Sequence, residues 1–182
     1  QFWILFLLFL TIISLTTADI KTKKFKFTGK NKYKFFSKFA IGDGNSGNFK
    51  VRGRLVSPYN NPGDTFNVNV LFYEDSRWDH VIETDDCYQK RQFKNFISNL
   101  QILGDGSWSE YSKQYTLARG RTRLWYIAAA DCSGETHLTY PSMPKIELEL
   151  VMLNGDSYFS QEEYGTVYII SYIRTKCSYI LP

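Results

Sequence analysis

The 182-residue sequence predicts an all-β fold, an antiparallel β-sandwich. Three observations carry this prediction. Aromatic residues form 17% of the chain, with 13 Tyr and 14 Phe, and aromatic and β-branched side chains favour pleated, half-buried surfaces. Short runs alternate apolar and polar residues at period two. Clusters of Gly, Pro, Asn and Asp separate those runs. A hydrophobic content of 43% and a charged content of 22% are ordinary for a globular domain. They exclude a disordered chain, a collagen, a coiled coil, a solenoid and a multi-pass membrane protein.

The elements follow in order. Residues 2–15 are an uncharged apolar run ending in small residues up to Ala18. This is the pattern of a secretory signal peptide, cleaved after Ala18 and too short to span a bilayer, which needs ~20 residues. The mature domain is then 19–175, with 176–182 as a tail. Residues 23–28 and 33–39 flank Gly29-Lys30-Asn31-Lys32 and predict a β-hairpin. Residues 42–47 are a loop, 48–55 a strand, and 57–64, with Pro58, Pro62 and Gly63, another loop. Phe66, Val68, Val70 and Phe72 alternate as a half-buried strand. Residues 93–103 fit helix and strand equally. The apolar run 124–130 has the pattern of a central strand covered on both faces. Ile146, Leu148, Leu150 and Met152 alternate, Asn154-Gly155 follows as a hairpin turn, and 166–173 is a last strand.

Charge is concentrated. Eight lysines and no acidic residue lie between Lys21 and Lys38, in a chain of formal net charge +4. Lys24, Lys26, Lys32 and Lys34 alternate with aromatics and form the candidate binding hairpin, for a sulfated glycan or an anionic surface. The competing reading is a solvated edge hairpin guarded by lysines. Nucleic acid is not expected as a partner of a secreted chain.

In an oxidising compartment Cys87 and Cys132 are candidate partners, closing a loop of about 45 residues. Cys177 is left over, either a free thiol or a partner for another chain. No Cys-x-x-Cys and no Asn-x-Ser/Thr sequon occurs.

Catalytic and metal patterns are weak. Gly155-Asp156-Ser157 resembles an esterase nucleophile block, but His80 and His137 both precede it. Asp79-His80 and Asp85-Asp86 lack a third ligand at zinc spacing. Asp43-x-Asn45-x-Gly47 begins like a calcium loop, but Arg54 stands where the bidentate Glu belongs. Glu162-Glu163 suits a surface pair. The expectation is a non-enzyme with no catalytic residue, cofactor or metal.

An ordered set of motifs adds a resemblance. Phe72-Tyr73-Glu74-Asp75-Ser76-Arg77-Trp78, Asp86-Cys87, Leu124-Trp125-Tyr126-Ile127-Ala128 and Asp131-Cys132-Ser133-Gly134 are followed by 150–155 and 159–165. Together they resemble the extracellular domain of the intimal-thickness-related receptor family, seven-helix proteins preceded by a Golgi-dynamics-type β-sandwich. The resemblance covers about residues 22–170. It implies a jelly-roll-like sandwich, a Cys87–Cys132 pair and a role in binding a ligand or partner. Trp125 and Tyr126 point to opposite faces of a central strand, so at least one ring fills the core. Trp78 is expected to cap the end of the sandwich. No seven-helix bundle follows residue 182, so membrane attachment depends on a C-terminal half beyond this sequence. The missing initiator Met fits a longer product, and a secreted paralogue is the other reading. A receptor- or trafficking-type ectodomain for a protein or glycan ligand is the leading expectation. A self-associating building block of an extracellular filament or coat is the alternative.

Overall fold

The structure is a computed structural model that describes residues 20–28, 30–44, 46–59, 61–117, 120–134 and 145–154. Its elements in chain order are β1 (Ile20–Phe25), β2 (Tyr33–Ile41), β3 (Gly47–Leu55), β4 (Thr65–Glu74), α1 (Asp75–Glu83), α2 (Cys87–Gln92), β5 (Phe96–Leu103), β6 (Tyr115–Leu117), β7 (Arg123–Ala130) and β8 (Ile146–Asn154). The strands form two four-stranded sheets. Sheet I has the order β1-β8-β3-β6 and sheet II the order β2-β7-β4-β5. Every pairing is antiparallel. The expected sandwich is therefore present.

Alternation places the core. Along β3, Phe49, Val51, Gly53 and Leu55 are buried while Asn48, Lys50, Arg52 and Arg54 between them are not. Ile146, Leu148, Leu150 and Met152 of β8 and Phe66, Val68, Val70 and Phe72 of β4 join the same cluster. Phe49 sits at its centre, with Phe39, Phe72, Phe96 and Trp125 at ring distances of 6.3, 5.4, 6.4 and 5.9 Å. Packing of this kind between sheets removes the apolar faces of both from water, the dominant favourable term in folding.

A second cluster lies on the outer face of sheet II. Leu71 and Tyr73 of β4 and Ala128 and Ala130 of β7 are buried there, with Val81 of α1 and Cys132. Helices α1 and α2 roof this face. That double cover explains why 124–130 reads as an almost continuous apolar run. Residues 93–103 resolve as a strand from Phe96, paired to β4 from Phe72↔Phe96 to Thr65↔Leu103.

Two expectations are corrected. The lysine-rich strands do not pair with each other beyond one bridge at Thr28↔Asn31. β1 pairs with β8 in sheet I, and β2 pairs with β7 in sheet II. The tight turn is real, with Asn31 N donating to Thr28 O at 2.9 Å. Its arms diverge because each hydrogen-bonds into a different sheet, while Phe25, Phe27, Phe36 and Phe39 from both meet in the core between the sheets. Trp78 does not cap the end of the sandwich; it belongs to α1 and packs with the cluster on the outer face of sheet II. The signal peptide, His137, the Gly155-Asp156-Ser157 block, Glu162-Glu163, the strand at 166–173 and Cys177 lie outside the described residues. Among the described residues, no helix is long and apolar enough to cross a membrane.

Candidate functional site

Two surfaces combine charge with aromatic rings. The first surrounds the disulfide. Cys87 opens α2, whose N-terminus is capped by Asp86 accepting from Gln89 N at 2.7 Å. Cys132 follows β7, and the two are bonded. The bond pins α2 to the end of sheet II. Tyr73 hydroxyl donates to Lys90 O at 3.2 Å and Lys90 Nζ to Val81 O at 2.7 Å, so α1, α2 and β4 are tied together. Burial pushes the Tyr73 phenol up to about 12. Burial, with Tyr73 alongside, also raises the Tyr33 phenol well above its usual value. Beside the disulfide is a cleft of about 370 Å³ lined by Lys30, Lys32, Tyr33, Asp85, Asp86 and Tyr88 among others. Its charges are mixed. Two of its three ammonium groups are engaged within the fold, Lys90 on Val81 O and Lys32 Nζ at 3.5 Å from Cys132 O. The cleft therefore reads as the seam of the helical roof.

The second surface is the outer face of sheet I. Residues on β1, β8 and β3 meet there in cross-strand rows. Lys24, Glu147 and Arg54 lie directly opposite one another, as do Thr22, Glu149 and Arg52, and then Ile20, Val151 and Lys50. Arg52 grips Glu149 through two bonds, Nε to Oε1 at 2.8 Å and Nη2 to Oε2 at 3.1 Å. Arg54 Nη2 lies 2.7 Å and Lys24 Nζ 3.6 Å from Glu147. Tyr111 hydroxyl also donates to Glu149. Burial alone would raise the Glu149 carboxyl. The hydrogen bonds from Arg52 and Tyr111 and the charges of Arg52 and Lys50 outweigh it and hold the group below its usual value.

Residues 108–112 complete this face. Ser109 N donates to Gly53 O at 2.8 Å and Ser112 N to Val51 O at 2.7 Å. In return, Gly53 N and Val51 N donate to the hydroxyls of Ser109 and Ser112 at 3.0 and 3.1 Å. Serine hydroxyls thus stand in for strand carbonyls and extend the cover of the β3 edge beyond β6. The period of three that places the serines on β3 also places Trp108 and Tyr111 over its cations. Lys50 and Arg52 lie 4.4 and 4.6 Å from the Tyr111 ring centre. Arg52 and Arg54 lie 4.7 and 4.6 Å from that of Trp108. The result is an alternating stack: Lys50, Tyr111, Arg52, Trp108, Arg54. Each cation–ring contact contributes roughly 0.5–1 kcal/mol at an exposed site.

The four lysines singled out from the sequence are not gathered into one patch. Lys24 joins the sheet I face, and Lys26 is exposed just beyond β1. Lys32 turns to the disulfide seam, and Lys34 lies on β2 opposite Ala129. Sequence reasoning missed the stack on β3. Its signals were the period-two cations Lys50, Arg52 and Arg54, and the repeated aromatic-serine pair at 108–109 and 111–112. Of the expected core aromatics, Trp125 fills the sandwich and Tyr126 lies on the opposite face under the helical roof. Among the described residues, no group of three His, Cys, Asp or Glu could hold a metal ion.

Fold and surface together define a disulfide-closed β-sandwich with one cationic, aromatic-braced face. No protein family, curated protein or solved structure matches this chain.

Proposed function

We propose that this chain is an extracellular or lumenal binding domain that catalyses nothing. In this reading it is a Golgi-dynamics-type, jelly-roll-like sandwich similar to the ectodomain of the intimal-thickness-related receptors. The observation that carries the reading is the Cys87–Cys132 disulfide. It joins the two cysteines that the resemblance pairs, and structural disulfides persist in oxidising compartments. The apolar segment ending at Ala18 agrees with entry into the secretory pathway. A charged, ring-braced sheet face suits the recognition of a partner outside the cell.

The test is the intact mass and detergent partitioning of the native protein from its source. A soluble species of roughly 19 kDa, cleaved after Ala18, supports a free-standing secreted domain. A much larger, detergent-requiring species supports the receptor-type ectodomain. An uncleaved protein with reduced Cys87 and Cys132 in the cytosol overturns both.

A further inference from the structure

We propose that the outer face of sheet I is a binding site for a sulfated polysaccharide. The proposal rests on the extracellular reading above and names the class of partner.

The face is far more cationic than its ion pairs alone suggest. Lys24, Arg54, Arg52 and Lys50 stand in the cross-strand rows. Lys26 continues the β1 alternation, exposed between buried Phe25 and Phe27, and exposed Lys145 precedes buried Ile146 on β8. Against these six cations stand Glu147 and Glu149 in the rows and exposed Glu110 in the covering segment, so the face keeps a clear positive excess.

The arrangement is also preorganised. Rings and carboxylates hold the two arginines in place, yet the side chains of Arg52 and Arg54 remain 30% and 38% exposed. A guanidinium fixed in this way loses little freedom when it meets a second anion. Rows repeat every ~6.8 Å along the strands and ~4.8 Å across them. The cations on β1 and β3 and at the start of β8 therefore span an area roughly 20 Å long and 10 Å wide, enough for an extended polyanion running in the strand direction.

The occupant follows from where the charge sits. Protein interfaces bury a core depleted of charged residues, but here charge runs through every central row. A polyanion needs no apolar core, because its binding is driven by release of its own counterions. Sulfates spaced along a chain can engage several solvated cations at once.

The test is retention of the full chain on immobilised heparin, with titrations at a series of salt concentrations. Wild type is expected to be retained at 0.15 M salt, a typical ionic strength, and to pass through a desulfated column. The Lys26→Gln, Lys50→Gln, Lys145→Gln triple variant is expected to elute far earlier. Its plot of log affinity against log salt should be shallower by about 2.1–2.7, at about 0.7–0.9 for each of the three cations removed from the face. A triple variant of equal charge on the turn and β2, Lys30→Gln, Lys34→Gln, Lys38→Gln, should elute close to wild type. In the wild-type protein, heparin should protect Lys26, Lys50 and Lys145 from acetylation while leaving Lys30 and Lys34 reactive. Equal shifts in both triple variants would sink the site, leaving only net charge. Retention on the desulfated column overturns it too, as does flow-through combined with binding to phosphatidylserine vesicles or to an acidic protein. A secreted protein that ignores heparin defeats this proposal alone. A cytosolic protein with reduced cysteines defeats the extracellular reading, whatever the column shows.

Discussion

Trp78 lies flat on Tyr126, with ring centres 4.5 Å apart and planes 3° from parallel. Phe35 and Tyr73 approach the same indole at 5.6 and 5.7 Å. One side chain of α1 thereby meets rings from β2, β4 and β7, and this fastens the helical roof to sheet II. Trp78→Ala is expected to lower unfolding free energy by about 2–4 kcal/mol, because both the buried indole area and the ring stack disappear. Trp78→Phe should recover about half of that. Urea denaturation measures both, and an effect below about 0.5 kcal/mol would show that the roof holds without this stack.

The disulfide acts on the same roof from the other end. Replacing Cys87 and Cys132 by Ala is expected to cost about 2–4 kcal/mol. Amide exchange should accelerate first in α2, whose first residue is Cys87. Uniform acceleration across both sheets would mean that the bond stabilises the sandwich as a whole.

Protonation of Glu149 gives a pH dependence with a definite sign. Its folded-state carboxyl lies below the ordinary value of 4.5. The stabilisation is therefore complete above that ordinary value and is lost as pH falls through the lower folded value. Wild type should lose stability on acidification below about pH 4.5, and Glu149→Gln should lose less over the same interval. At pH 7 the variant should be weaker by about 1–2 kcal/mol, because Arg52 loses its charged partner. Thermal melts between pH 3 and 7 compare the two slopes. Parallel curves would remove Glu149 from the acid response.

Gly104 is required for space. A Cβ there would lie 2.7 Å from Asn61 O and 2.9 Å from Asp64 O, both backbone atoms that cannot swing away. Gly104→Ala is expected to destabilise by about 1–3 kcal/mol and to loosen the turn closed by Asp64 N on Asn61 O. A denaturation midpoint equal to wild type would refute the clash.

Lys23 shows why the lysine-rich segment misleads when it is read locally. It stands on β1 opposite Leu148, a core residue, so its stem lies on the sandwich side of the strand. Its Nζ crosses to β2 and donates to Phe35 O at 2.7 Å, tying the edge strands of the two sheets together. Charged residues directed inward at an edge discourage further strand addition. Alternation of Lys and Phe in sequence fixes which residues share a face. It does not say which sheet that face belongs to.

The helices at 75–92 were equally hidden. α1 has no side-chain cap, and its content is mostly polar, with Val81 its buried residue. The capping pair Asp86 and Gln89 was a readable signal for α2, but a six-residue helix offers little periodicity to support it.

Local pattern in the sequence was enough for the all-β class, the inward residues of β4 and β8, the existence of β3, the central place of β7, and the candidate pairing of Cys87 with Cys132. These depend on period-two alternation, apolar runs and cysteine count, all of which are local or compositional. The parting of β1 and β2 into different sheets, the two helices over sheet II, and the lie of Trp108 and Tyr111 across Lys50, Arg52 and Arg54 emerge only in three dimensions. The aromatic segment and the cations it covers lie more than fifty residues apart in the chain. Their meeting depends on long-range strand order, which closes the chain through contacts that no local pattern encodes.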